Sequence, residues 1–508
     1  MLSTTSTWLL LLLSALAMSY GWGFRGDYGH EAGAMFPGCF LALALLIGSR
    51  RQDWLQRITP VALAGAIGWA FGGSMSYGKI IGYTAHSSLP DVAYGFACLF
   101  LIGALWGSVG AGLLALALTM PRSWLNQWAG PLFLLMVTWL LLDHSGATEW
   151  LEKQYLPEHD VDWVAACSAG LVALVCLARP GWRSAATLLL TLSAGWLVGF
   201  FTLVYLLGLR MTPPRGDNWA GCLGLATAFF LWLVVHRLYP ARYLYLVGFL
   251  AGGYGFALGD GLNMMGRAGW GPVGELARSL QLDAWKWMEQ GFGFLMGFGV
   301  ALGVLQFLRK RLPAPEEDAP AGTMHLLGLV FLLILMPWLN FYKNVRGLLR
   351  INQLGLPLFG WPQEFWYLLV GVLISLVLFV AILLYRRGKL TILPGTSLGR
   401  AQMLLLFLLW ISVLAAFLQA MPHMHRTGTL WVHVTFWITA CLVTLLILLA
   451  PLYPLVTKES APGPAASTWP PGLGMILLFL LIPCLIGLLT YGITAMHEGP
   501  LPGSQLRW

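Results

Sequence analysis

GWGFRGDYGHEAGAMFPG, residues 21–38, carries four ionisable side chains, Arg25, Asp27, His30 and Glu31, within seven residues. Apolar runs at 7–23 and 33–48 flank it on both sides. Apolar runs of roughly 17 residues or more cross the hydrocarbon core of a bilayer as helices. The stretch therefore reads as the junction of two membrane helices. Charges at membrane depth are costly and are as a rule paired, wet or functional. The glycines among them point to close packing or a broken helix rather than to a plain loop.

Working outward, the whole chain repeats this pattern. It is 58% hydrophobic and 10% charged, with a mean hydropathy of +0.74. An ordinary soluble domain carries about 25% charged residues, so that class is excluded. Fifteen apolar spans are read at 7–23, 33–48, 60–82, 92–119, 130–143, 161–178, 184–208, 218–236, 241–261, 286–308, 324–341, 364–385, 400–420, 430–452 and 473–496. The expectation is an all-α polytopic integral membrane protein. Residues 1–20 have an apolar stretch but no basic segment before it, and are read as an uncleaved first helix rather than a leader.

Charge sets the expected orientation. With alternating spans and the N-terminus inside, 16 of the 29 Lys/Arg fall on inner loops against 5 of the 21 acids. The inner loops look like ordinary positive-inside connectors, and the C-terminus falls outside. The pI of about 9.2 is thus a topology signal. A nucleic-acid partner would need a basic, solvated domain, and none is present. Residues 21–38, His86, Asp260, Arg267, Glu289, His423 and His425 then all lie toward the outer face.

The chain carries internal similarities of the kind that mark repeats. GAIGWAFGGSMSYGKIIGY (65–83) and GFLAGGYGFALGDGLNMMG (248–266) align at Gly65/Gly248, Phe71/Tyr254, Gly72/Gly255 and Gly78/Gly261. YGFACLFLIGALWG (94–107) aligns with QGFGFLMGFGVALG (290–303). Arg25-Gly26-Asp27 recurs as Arg215-Gly216-Asp217. These offsets suggest a parallel duplication, with a first six-helix repeat at 1–183, a second at 184–390, and three further helices at 391–508. The plain alternative is that glycine- and aromatic-rich helices resemble one another by composition.

The site expected from these segments gathers Arg25, Asp27, His30, Glu31, Lys79, Asp260, Asn263 and Glu289 for a substrate or ion. Arg25 and Asp27 can pair as fork and carboxylate. His30 beside Glu31 suits a proton relay or cation ligation. Asp260 and Asn263 sit in ALGDGLNMMG, whose glycines imply close backbone approach or an unwound turn of the transporter type. Glu289 opens its span with Lys286 three residues earlier, so a simple ion pair is the plain reading there. Lys79 either snorkels or neutralises Asp260 or Glu31.

Other chemistry is sparse. The seven cysteines lie in or beside apolar runs without a CxxC pair and read as small core residues. MPHMHRTGTLWVH (421–433) offers His423, His425 and His433 with Met421 and Met424, but two-residue spacing does not share a helix face. No metal or cofactor is expected. There is no Walker loop and no HExxH, which argues against ATP-driven transport by this chain alone. The 25 tryptophans fit interfacial belts.

Three functions follow, in order. The first is a permease for a small polar solute with an outward-facing polar site. The second is a membrane-embedded transferase working on a lipid or lipid-linked substrate at the outer face. The acids directly after the first span give a placement that resembles the polytopic lipid-linked glycosyltransferases, whose acidic residues sit in the first external loop; the loop here is about nine residues. The third is a non-catalytic integral subunit that buries its polar face against a protein partner. The expected partners are the bilayer and a small polar solute or lipid head group. The expected location is the bacterial cytoplasmic (inner) membrane.

Overall fold

A computed structural model describes residues 4–26, 31–71, 75, 77–147, 150–151, 153, 162–213, 218–320, 322–340, 360–361, 363–390, 393–420, 426–453 and 472–508. Asp27, His30, Arg215, Asp217, His423 and His425 lie outside the described residues, and of Glu31 only the backbone is described.

Among the described residues all regular structure is helical. In chain order the helices are α1 (Thr4–Arg25), α2 (Glu31–Ser49), α3 (Gln52–Leu55), α4 (Ile58–Ala70), α5 (Gly78–Thr84), α6 (Leu89–Thr119), α7 (Arg122–Asn126), α8 (Ala129–His144), α9 (Asp162–Leu177) and α10 (Arg183–Phe200). They continue as α11 (Asn218–Val235), α12 (Tyr239–Ala268), α13 (Gly271–Ser279), α14 (Ala284–Arg309), α15 (Gly322–Val330), α16 (Gln363–Arg386), α17 (Ser397–Ala420), α18 (Thr427–Leu449), α19 (Leu473–Leu480) and α20 (Ile482–Thr494).

Ten helical segments among the described residues are long and apolar enough to cross a membrane. An eleventh counts if α19 and α20, bent by 41°, form one span. The chain is thus built as a multi-pass membrane protein. The run at 60–82, read as one span, is instead α4 and α5 with the chain leaving the helix after Ala70. The stretch AFGGSMSYG concentrates Gly and Ser there, which hold a helix poorly. At Gly259–Gly261 the reverse holds: no unwinding occurs, and α12 runs through as a continuous helix.

The chain forms two compact units. The first comprises Met1–Ala66, Leu258–Leu312 and Phe331–Gly463. Its centre is α1, packed chiefly against α14 and α2 and also against α18. Small residues set the approach: a Cβ at Gly297 would sit 2.6 Å from the Ser14 carbonyl oxygen, and one at Gly293 would meet the Met18 carbonyl. Tyr20, Phe24, Phe36, Phe40 and Phe436 interlock beside this contact, with Phe24 and Phe36 centroids 4.8 Å apart in edge-to-face geometry. Pro37 lies inside α2, as membrane helices tolerate.

The second unit comprises Ile67–Ala257, Pro313–Val330 and Pro464–Trp508. Here α6 and α12 cross through two GxxxG pairs, Gly103 and Gly107 against Gly252 and Gly248. Each Cβ added at these four positions would collide with a facing backbone carbonyl. Without a hydrophobic drive between helices in lipid, such small-residue stripes let backbones approach and gain dispersion contact. Gly195 and Gly199 of α10 meet Gly224 of α11 in the same way. The segment Leu501–Trp508 straps α5 and α6: Leu501 and Gln505 amides donate to the Ala85 and Gly82 carbonyls at 2.9 Å each, and the Arg507 amide donates to Asp91 Oδ1 at 2.6 Å.

Candidate functional site

Glu289 is the best-positioned ionisable residue of the first unit. On α14 it precedes Gly293 and Gly297 by one and two turns, so the stripe that seats α14 on α1 also aims the carboxylate at the end of α1. There Gly26 leaves the space the carboxylate fills: a Cβ at 26 would fall on both its oxygens. Gly33, on α2, does the same for Arg25, since a Cβ there would lie 2.8 Å from the Arg25 carbonyl oxygen. Arg25 Nη1 lies 3.9 Å from Glu289 Oε1 and Lys286 Nζ lies 3.5 Å from Oε2. Trp285 Nε1 donates to Oε1 at 3.2 Å. Arg25 also lies over the Trp22 ring, 5.6 Å from its centroid. Glu289 is 1% exposed and Arg25 3%. Buried charges are tolerated when paired, and the Glu289 carboxylate has both cations beside it and the Trp285 hydrogen bond.

Asp260 and Asn263 form a second buried pair one helix away. Asp260 is fully buried and Asn263 is 1% exposed. Asn263 Nδ2 donates to Asp260 Oδ1 at 3.0 Å and reaches Met288 Sδ at 3.5 Å. Its Oδ1 is buried without a hydrogen-bond partner. Gly259 supplies the close approach: a Cβ there would lie 3.0 Å from the Met288 carbonyl oxygen. Met288 precedes Glu289, so α14 carries the two sites on consecutive residues. Arg267, beyond the apolar run of α12, faces the same charge. Burial holds its guanidinium below the usual arginine range, and the Asp260 carboxylate opposes that shift.

The structure thus brings Arg25 and Glu289 together and pairs Asp260 with Asn263. Lys79 belongs to the other unit, where its exposed Nζ donates to the Pro213 carbonyl at 3.1 Å. Lys286 does make the ion pair that its i,i+3 spacing predicts. Trp285 and Arg267, which the sequence places toward the outer face but not in the expected site, take part in it. The signal for Trp285 was its i,i+4 relation to Glu289; for Arg267 it was the i,i+7 relation to Asp260. Of the Met/His stretch, His433 is described: it is buried on α18 with its ring edge-on to Phe436, centroids 5.6 Å apart. Among the described residues no three His, Cys, Asp or Glu side chains come together as a ligand set. All seven cysteines are free, and Cys441 and Cys484 are exposed rather than in a core.

The arrangement is a carboxylate gripped by donors of unequal strength. Arg25 at 3.9 Å stands outside hydrogen-bond range, whereas Trp285 is within it. A charged or hydrogen-bonding guest can replace the looser partner without stripping the carboxylate of the others. The chain matches no family model, no curated protein and no solved structure.

Proposed function

We propose that the chain is a permease for a small polar solute, with Glu289, Arg25, Asp260 and Asn263 as its binding residues and Lys286 and Trp285 as positioning residues. The observation that supports it is the burial of two carboxylates, Asp260 and Glu289, on facing turns of apolar helices of one unit. Ionisable groups inside membrane helices mark solute and ion pathways more often than they serve stability. In this reading Glu289 exchanges its loose partner Arg25 for the solute, and Asn263 offers it the acceptor Oδ1. The reading also assigns Asp27, His30 and Glu31 to the solute on their sequence position between α1 and α2, with Asp27 and His30 outside the described residues. The reading carries with it fifteen spans, an inward N-terminus and outward C-terminus, a parallel duplication at 1–183 and 184–390 followed by 391–508, and the bacterial inner membrane.

The test is uptake into proteoliposomes of wild type, Glu289→Gln and Asp260→Asn, with a panel of radiolabelled amino acids, sugars and organic anions. The expected result is uptake of at least one class that falls about tenfold or more in both variants, as removal of a charged hydrogen bond does. Uptake unchanged in both variants rejects the site. The pairing of Glu289 favours a second reading, a subunit whose charges only hold helices together; in that case no class is taken up, and the protein co-purifies with a stoichiometric partner from its native membrane.

A further inference from the structure

Arg50, Arg51 and Arg57 follow α2 in the first unit, and by charge counting they belong to a plain positive-inside connector. Such connectors are solvated, yet these three are 3%, 7% and 1% exposed. Asp53, 8% exposed, takes Arg51 in a two-point fork, with Nε to Oδ1 at 3.0 Å and Nη2 to Oδ2. Arg51 Nη1 donates to the Leu312 carbonyl at 2.8 Å, and its guanidinium lies 4.3 Å from the Trp54 ring centroid. Each of the three Arg51 nitrogens therefore has a hydrogen-bond partner.

Arg50 differs. Its Nη2 donates to the Tyr453 carbonyl, but Nε and Nη1 are buried with no hydrogen-bond partner. Burial also pulls its guanidinium below the usual arginine range. Its backbone adopts φ +57°, a left-handed conformation that a side chain such as arginine seldom takes. A strained backbone that holds an unsatisfied buried cation is a costly combination, and such outliers cluster where something binds.

We propose that Arg50 forms an anion site for a phosphate group. Nε and Nη1 lie on different edges of the guanidinium, so two acceptor oxygens are needed, and a phosphate with its ester or water neighbours supplies them. Arginine is the residue best matched to phosphate oxygens. Phosphate reaches a membrane protein either on an anionic lipid head group, which basic pockets beside membrane helices bind, or as the free ion. The proposal stands independently of the permease reading.

The test is thermal unfolding of the full chain in a neutral detergent, titrated with short-chain phosphatidylglycerol, short-chain phosphatidylcholine and inorganic phosphate. Glycine favours the left-handed backbone at 50, so Arg50→Gly removes the side chain while relieving strain; Arg50→Asn, which also tolerates that conformation, is the second variant. The expected result is stabilisation of wild type at about tenfold lower phosphatidylglycerol than phosphatidylcholine, lost in both variants. Stabilisation by phosphatidylglycerol alone identifies the head group; stabilisation by inorganic phosphate as well identifies the free ion. The idea is overturned if wild type answers the two lipids equally and ignores phosphate, or if either folded variant keeps the wild-type response to anions.

Discussion

The Glu289 carboxylate occupies the space beside Gly26 where a side chain would otherwise begin. One glycine at the end of α1 therefore decides whether Glu289 can reach Arg25. Gly26→Ala is expected to lower stability by about 1–3 kcal/mol, the cost of overpacking a close contact, and to push the carboxylate off its partners. Thermal unfolding in detergent measures this. A Gly26→Ala protein as stable as wild type would show that the carboxylate moves aside freely.

Breaking the pair leaves buried cations behind. Glu289→Ala strands Arg25 and Lys286 and is expected to cost about 3–5 kcal/mol. Arg25→Met combined with Glu289→Ala removes both charges of the pair and should recover part of that loss, giving a coupling of about 0.5–3 kcal/mol in a double-mutant cycle closed by Arg25→Met alone. Additive losses would mean that Arg25 and Glu289 do not act on each other.

The α6–α12 crossing predicts a contrast among glycines. Gly252→Ala and Gly107→Ala set a Cβ against a carbonyl and are expected to lower the unfolding temperature, each by about 1–3 kcal/mol of stability. Gly487, on α20, has nothing within 4 Å of its would-be Cβ. Gly487→Ala is expected to be neutral or to stabilise by about 0.5–1 kcal/mol through helix propensity. Equal effects at 252 and 487 would contradict the close crossing.

The strap at Leu501–Trp508 depends on Asp91, which is 2% exposed and accepts from the Arg507 amide at 2.6 Å. Arg507 also lies 5.5 Å from the Tyr94 ring centroid. Asp91→Ala is expected to cost about 1.5–3 kcal/mol, the range for a hydrogen bond to a charged group, and to speed amide exchange at Gln505 and Arg507. Exchange no faster than in wild type would show that the strap holds without Asp91.

Orientation is open to direct measurement. In a chain lacking the exposed Cys441 and Cys484, His86→Cys is expected to react with a membrane-impermeant maleimide from outside intact cells. Lys310→Cys is expected to react only after permeabilisation. The opposite labelling pattern reverses the assignment of faces.

Much of this was legible in the chain. Composition and run length determined an all-helical, multi-pass architecture, because an uninterrupted apolar stretch has no other stable form in lipid. The i,i+3 spacing of Lys286 and Glu289 determined their pairing, because helix geometry alone brings such residues together. Tertiary structure decided the rest. That Glu289 meets Arg25, 264 positions earlier, depends on the Gly293–Gly297 stripe choosing α1 as its partner, and small-residue stripes do not name their partner in sequence. The continuity of α12 through Gly259 was likewise a packing outcome, since the Phe292 ring and the Met288 carbonyl fill the space that glycine leaves. The arginines after α2 show the same limit from the other side: charge placed them on a loop, and only the surrounding helices buried them. Local sequence fixes which residues share a helix face, whereas long-range packing fixes what that face meets.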